Sequence, residues 1–423
     1  MKSAINITIV GAGSSYTPEL IEGLLALDEQ EIPVRELRLH DLDAHRLEIM
    51  TGLARRMLTH SGRRVVITAG TDLATQLRAA DFVITQIRVG GMDARYLDES
   101  IPLKYGIIGQ ETTGPGGMFK ALRTIPPMLD IARTVERVAP EAFILNYTNP
   151  SGIITEAVCN HTRARFIGLC SGIPGIQDRI QEILAPHWPK LKTYGVGLNH
   201  LGFINRYVSE GKDVTPEALE LLYENSIRHG GIANPELLKL LHAVPITYVN
   251  YYFRRGQCVA EAKAKGKTRA EEIRAIEAKI MAEAADPGCV SKPTELSRRG
   301  GGGYASITFR FLKAILNDRG DELTCSVLNR GAVEGIPADA AVEVVCRVDA
   351  RGATPLPVGP IPLSFRSLVQ AVKAYETLTV QAAMERRRSL ALEALISHPL
   401  CGDLDVTLPM LDEMLTAHHL DYR

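Results

Sequence analysis

The chain has 423 residues, with 48 basic and 49 acidic side chains and a formal charge of −1; so balanced a surface offers no field for nucleic acid or an anionic membrane. No stretch approaches the 18 apolar residues needed to span a bilayer. Seven cysteines, odd in number and irregular in spacing, make no disulfide framework, and MKSAINITIVGAG is too short and strand-like for a secretory signal, so a reduced, cytoplasmic protein is expected.

Over the first 170 residues, short apolar runs alternate with amphipathic stretches, as repeated βα units do. Strands are predicted at Ile5–Val10, Leu37–His40, Arg64–Thr68, Phe82–Gln86, Phe143–Asn146 and Arg165–Cys170, and helices at Pro18–Leu27, Ala44–Ser61 and Ala121–Val138. This alternation implies an α/β protein with a Rossmann-type doubly wound parallel sheet. After Trp188 the pattern loosens. Helices are expected at Pro216–His229, with Thr215 as N-cap and proline in the first position, and at Arg269–Ala285. A glycine-rich loop follows at Ser297–Ser306, then a helix at Ile307–Asn317, a strand at Ala340–Asp349 and a long helical region at Ser364–Ser397. The division expected is a dinucleotide-binding domain over residues 1–170 and a mixed α+β domain over residues 171–423.

Chemistry-bearing residues cluster where strands end. In ITIVGAGSSYTPEL, Gly11, Gly13 and Ser14 sit between a strand and a helix, where backbone N–H groups and the helix dipole receive a pyrophosphate. The third glycine of G-x-G-x-x-G is absent, since Tyr16 stands there. Asp41, after the next strand, is placed to accept from ribose hydroxyls and to disfavour a 2′-phosphate. The run QIRVGGMDARYLDESIPLKYGIIGQETTGPGG reads as a long glycine-rich loop, and a loop of that length in a compact domain is usually functional. Its Arg88 and Arg95 can clamp an anion bidentately, with Glu111 nearby. Asn149 in NYTNPSG faces the same sheet edge. Cys170 in FIGLCSGIPG and His200 in GVGLNHLGF stand at two further strand exits. Taken alone, such a pair is more often a buried thiol and a satisfied core imidazole.

Taken together, ITIVGAGSSYTPEL, QIRVGG, GQETTGPGG, NYTNPSG, GLC and GLNHLGF, in that order, resemble glycoside hydrolase family 4, and VLNRGAVEGIPADAAVEVVCRVDARGATPL extends the likeness over nearly the whole chain. The resemblance implies a lactate-dehydrogenase-like fold, homodimers or homotetramers, and glycoside hydrolysis with NAD and a divalent metal, usually manganese, outside the two-carboxylate mechanism. It makes Cys170 and His200 the protein ligands of the metal, and N and S donors suit a transition metal. In the implied reaction NAD takes a hydride from C3, a tyrosine removes the acidified C2 proton, the C1 substituent leaves, water adds and the ketone is reduced again. By motif position the tyrosine is Tyr248 in PITYVNYYFRRG, with Tyr251 and Tyr252 as alternatives. Arg95 with Asn149 corresponds to positions that bind the sugar and its 6-phosphate, and Arg269 to a basic position near the site. Ser171 stands where α-specific members carry Asp, which points to 6-phospho-β-glucosides, although CSGIPG departs from the CNVPIG of β-specific members. The alternatives are a sibling specificity (6-phospho-α-glucosides, α-galactosides, unphosphorylated or uronic glycosides) and a lactate/malate-type dehydrogenase.

Overall fold

The computed structural model describes residues 4–300 and 302–423. Its first part runs β1 (Ile5–Val10), α1 (Thr17–Leu25), β2 (Val34–His40), α2 (Ala44–Ser61), β3 (Val66–Gly70), α3 (Leu73–Leu77), β4 (Phe82–Thr85), α4 (Gly91–Lys104), α5 (Gly114–Val138), β5 (Phe143–Asn146), α6 (Ser151–His161), β6 (Arg165–Gly168) and α7 (Gly172–Leu184). The six strands are parallel, in the order β3-β2-β1-β4-β5-β6. Helices cover both faces, so β1, β4 and β5 are buried at every position, as unbroken apolar runs require. The strand order reverses between β1 and β4, and the crevice outside their carboxyl ends is where such a sheet receives a ligand.

The chain continues through β7 (Leu191–Leu198), β8 (Leu201–Ser209), β9 (Lys212–Asp213), α8 (Thr215–His229), α9 (Pro235–Leu241), β10 (Val244–Pro245), α10 (Asn250–Phe253), α11 (Arg255–Lys265), α12 (Arg269–Ala285), α13 (Leu296–Arg299) and α14 (Tyr304–Leu316). It ends with β11 (Asp321–Leu328), β12 (Val333–Glu334), β13 (Ala341–Asp349), β14 (Gly352–Pro355), β15 (Gly359–Pro360), α15 (Leu363–Glu385), α16 (Arg388–Ser397) and α17 (Leu404–Ala417). Strands β11, β13 and β14 extend the main sheet beyond β6 in antiparallel sense, with Ser326 opposite Gly168. Strands β7 and β8 form a hairpin in a second sheet with β9 and β10. Leu198 pairs with Leu201, so Asn199 and His200 are the whole of the turn between them.

Three expectations need correction. The run from Arg88 to Gly117 is not one loop, because it contains α4 and the start of α5. The buried face of α4 includes Arg95, Asp98 and Glu99, so its helical period is written in charged residues and an apolar-period reading misses it. Thr215 is the first residue of α8 rather than its N-cap, which is Val214; its hydroxyl accepts from the Tyr207 N–H at 2.9 Å. The region Ser364–Ser397 is two helices, broken where Arg386 takes a left-handed conformation (φ +51°). Of the glycine-rich stretch Ser297–Ser306, the ends are helical in α13 and α14, and Gly301 lies outside the described residues. Among the described residues no helix is long and apolar enough to cross a membrane.

Candidate active site

The turn after β1 is shaped by its glycines. Gly11 has φ +88°, and a Cβ there would lie 2.9 Å from the backbone carbonyl of Gln86 on the neighbouring strand, so a side chain would force β1 and β4 apart. The Gly13 N–H donates to Asp41 Oδ2 at 2.8 Å, while Asp41 Oδ1 accepts from Asp43 N–H at 2.9 Å. Asp41 therefore braces the turn from which it was expected to reach a ribose. Ser14 Oγ accepts from Tyr16 N–H at 3.2 Å, and no side chain caps the start of α1, which leaves that helix end for an anion.

From this turn the chain passes to Tyr16, which lines a cleft of about 970 Å³. The same cleft is lined by Arg88, Arg95, Glu111, Asn149, His200, Tyr248, Tyr251 and Arg269. Segments far apart in sequence thus meet at one cavity. Tyr252 does not line it; its hydroxyl lies 3.3 Å from His398 Nε2, so of the three tyrosines in PITYVNYYFRRG only Tyr248 and Tyr251 line the cavity.

One wall is a charge cluster. Glu111 Oε2 receives Lys120 Nζ at 2.6 Å and Arg88 Nη1, and Oε1 receives Arg95 Nη1 at 3.1 Å. Arg95 Nε also donates to Glu99 Oε1 at 2.8 Å, and Glu99 Oε2 accepts from Ala270 N–H at 2.7 Å in the first turn of α12. Burial pushes the Glu111 carboxyl up, but Arg88, Lys120 and Arg95 outweigh it and hold the group well below the usual carboxylate range. For Lys120, burial and then the Arg88 charge bring the ammonium down to about 7 against the pull of Glu111. Arg269 stands at the mouth, donating to Glu272 at 3.0 Å and to the Arg299 carbonyl at 2.9 Å. The Asn149 side chain stays local, bonding Tyr147 O and Ser151 N–H at 3.4 and 3.3 Å.

The opposite corner is built differently. His200, 5% exposed, occupies the left-handed region (φ +64°) at the tip of the β7–β8 hairpin. Its ring stacks flat on Tyr248, with centroids 4.2 Å apart and 3° between the planes. Its Nδ1 is buried and has no hydrogen-bond partner among the described residues. Burial, with the Lys120 charge, brings its pKa down to about 3, so the imidazole is neutral. Cys170 follows β6, accepts from Gly172 N–H at 3.3 Å and bonds the side chain of Asn199. Burial and the nearby Glu343 push its thiol up to about 12. Burial, Cys170, Tyr251 and Glu111 all raise the Tyr248 phenol, while Thr112 bonds it. Among the described residues there is no cluster of three or more His, Cys, Asp or Glu placed to hold a metal ion, and Cys170 is not among the residues that line the cleft.

Several residues escaped the sequence reading. Lys120 hides in the apolar run of α5 between Phe119 and Ala121. Arg299 lies 3.9 Å over the Tyr16 ring and donates to Glu277 at 2.7 Å, and Ser15 Oγ also donates to Glu277 at 2.9 Å. These contacts tie the dinucleotide turn to α12 and α13. Glu343, a lone carboxylate in the otherwise apolar AVEVVC, carried a visible signal: such a residue is rarely buried without a partner.

Fold and cleft together define an α/β protein with a Rossmann-type sheet and a charged cleft lined by Tyr16, just after the first βα turn. Residues 6–185 match the family 4 glycosyl hydrolase model and residues 195–401 match the family 4 glycosyl hydrolase C-terminal domain; the chain belongs to this family. It is 38% identical to a probable 6-phospho-β-glucosidase of Bacillus subtilis, covering 99% of this chain and 97% of that one. It is 36% identical to a 6-phospho-β-glucosidase of Escherichia coli, covering 99% and 96%. The 6-phospho-β-glucosidase of Thermotoga maritima, solved with manganese, NAD+ and glucose-6-phosphate, superposes with a TM-score of 0.90 at 32% identity, covering 99% of both chains. A lactate dehydrogenase from a deep-sea metagenome library shares the fold alone, at TM-score 0.52 and 12% identity over 90% of this chain and 99% of that one.

Proposed function

We propose that this chain hydrolyses 6-phospho-β-glucosides with the help of NAD and a divalent transition metal, manganese in the first instance. The observation that carries the reading is the buried Nδ1 of a neutral His200, without a partner among the described residues, on a ring stacked on Tyr248 at the wall of the cleft, with Cys170 close enough to raise the Tyr248 phenol. A buried nitrogen without a partner is costly, and a metal ion would satisfy it, so the donor set fits the group. Cys170 and His200 would hold it, and the two-donor corner leaves positions for sugar oxygens. The start of α1, without a side-chain cap, fits the pyrophosphate of NAD, with Gly11, Gly13 and Ser14 around it and Asp41 bracing the turn.

When bound, NAD takes up and returns a hydride at C3 of the sugar while the metal polarises the sugar oxygens, which makes the C2 proton acidic. The chain supplies the rest. Tyr248 Oη receives the C2 proton, its ring held by the flat stack on His200. In the protein alone burial and Cys170 keep this phenol protonated, so a positive charge at the Cys170–His200 corner is what readies it as a base. Three cations, Arg88, Arg95 and Lys120, face two carboxylates, Glu111 and Glu99, and the wall's excess positive charge suits a 6-phosphate met by Arg88, Arg95, Asn149 and, at the mouth, Arg269. In this reading residues 1–170 carry the NAD turn and also Arg88, Arg95, Asn149 and Cys170, while residues 171–423 add His200, Tyr248 and Arg269 and the subunit contact of a homodimer or homotetramer. Seven free cysteines support a reducing compartment, the cytoplasm, for this activity.

The test is hydrolysis of p-nitrophenyl β-D-glucoside 6-phosphate with and without NAD and Mn2+, beside the α-anomer and the unphosphorylated sugar. Activity on the phosphorylated β-anomer that needs both additions supports the reading. Activity confined to another glycoside overturns the specificity, and net NADH from a hydroxy acid with no glycoside turned over rejects the hydrolase.

A further inference from the structure

Asn199, the other residue of the β7–β8 turn, is 8% exposed and uses its amide in three directions. Oδ1 accepts from the Gly152 N–H in the first turn of α6 at 3.4 Å. Nδ2 donates to Glu343 Oε2 at 2.8 Å. The same side chain bonds Cys170. Glu343 is 2% exposed in the middle of β13, flanked by buried Val342 and Val344, and its Oε2 also accepts from Ser326 Oγ at 3.2 Å. Ser326 lies opposite Gly168, two residues before Cys170. One buried carboxyl in the antiparallel extension of the sheet therefore reaches both strand exits that present the donor pair.

The geometry fixes a direction. An asparagine amide can offer a neighbour either its oxygen or its N–H groups. Glu343 accepts one Nδ2 hydrogen and Gly152 occupies Oδ1 from the other side, so the remaining N–H is the group left for the Cys170 sulfur. An amide held from both sides in this way fixes where the Asn199 side chain meets Cys170 and where the turn carries His200.

We propose that Glu343 is a positioning residue for the Cys170–His200 pair: through Asn199 it keeps an N–H donor on the Cys170 sulfur and fixes the turn that carries His200. This rests on reading Cys170 and His200 as metal ligands, as above. The full chain without NAD or substrate is titrated with Mn2+ alone and with Co2+ alone, the near-ultraviolet cobalt–thiolate band reporting the bond to sulfur. Glu343→Leu is expected to weaken Mn2+ binding by about 10–100-fold and to diminish the band at saturating Co2+. Glu343→Gln keeps a carbonyl for Asn199 and is expected to recover most of both. If Glu343→Leu fails to fold, Asn199→Ala breaks the same bond from its other end and is expected to show the same loss. Wild-type affinity and band in Glu343→Leu, or in Asn199→Ala where that variant carries the test, overturns the proposal, and so does a Gln variant as damaged as the Leu one. A wild-type protein with no cobalt–thiolate band removes the metal reading itself, and this inference with it.

Discussion

The two walls of the cleft treat their buried polar groups in opposite ways. Around Glu111 every charge is answered: Arg88, Arg95 and Lys120 converge on one carboxylate, and Arg95 also holds Glu99. At the Cys170–His200 corner the imidazole Nδ1 is buried and unanswered, and the thiol meets only N–H donors at its sulfur. A paired cluster is complete before any ligand arrives. An orphan nitrogen marks a place where the fold is finished by something else. The contrast separates groups already paired within the protein, Arg88 and Arg95 among them, from a nitrogen that is not.

The largest effect expected from that contrast is at the unanswered corner. His200→Ala and Cys170→Ser should each lower hydrolysis by more than about 10³-fold, since removing a metal ligand removes the chemistry it supports, while the melting temperature hardly falls. Melting curves beside turnover rates check this, and a large loss of stability without a change in rate would reverse the assignment. Next comes Tyr248→Phe, which keeps the stacked ring and removes the proton acceptor. It should lower kcat by about 10²–10⁴-fold with Mn2+ binding intact, whereas Tyr251→Phe should do far less.

At the other wall the signs exchange. Glu111→Gln leaves three cations short of a carboxylate and should cost about 3–5 kcal/mol of stability, the range for breaking a buried ion pair from one side. Because Glu111 is held well below its usual range, its contribution is full above about pH 4, where the unfolded carboxyl has ionised, and is lost as pH falls through the lower folded value. Denaturant titrations should show a weaker acid-limb slope in the variant. The smallest effect belongs to the mouth. Arg269, with 42% of its side chain exposed and a partner in Glu272, should cost less than about 1 kcal/mol when changed to alanine, a loss read from the same titrations.

Much of the fold was legible because its signals are local. Helices Ala44–Ser61 and Arg269–Ala285 fall at their predicted bounds, one closed by Gly62 in a left-handed conformation and the other opened by a Thr268–Glu271 capping box. The two-residue hairpin tip explains why Asn199 and His200 interrupt an apolar run. Helix α4 was illegible because its buried face is charged, and it is read correctly only once Glu111 and Arg123 are known to answer Arg95 and Asp98. The partners of the donor pair were hidden for a different reason. Glu343 lies 144 positions from Asn199, and nothing in either segment announces the other. Motif order pointed to Arg88, Arg95, Glu111, Asn149, His200, Tyr248 and Arg269, which line the cleft, and to Cys170, which does not; it gave no hint that Asp41 braces Gly13 or that Lys120 sits under Glu111.

The central claim is that the unpaired corner makes a C2 proton available to Tyr248. Hydrolysis of the phosphorylated β-glucoside in D₂O, followed by NMR of the released glucose 6-phosphate, tests it most directly. The account predicts deuterium at C2, dependent on both NAD and Mn2+ and absent with Tyr248→Phe. Hydrolysis at full rate with hydrogen retained at C2 would contradict it.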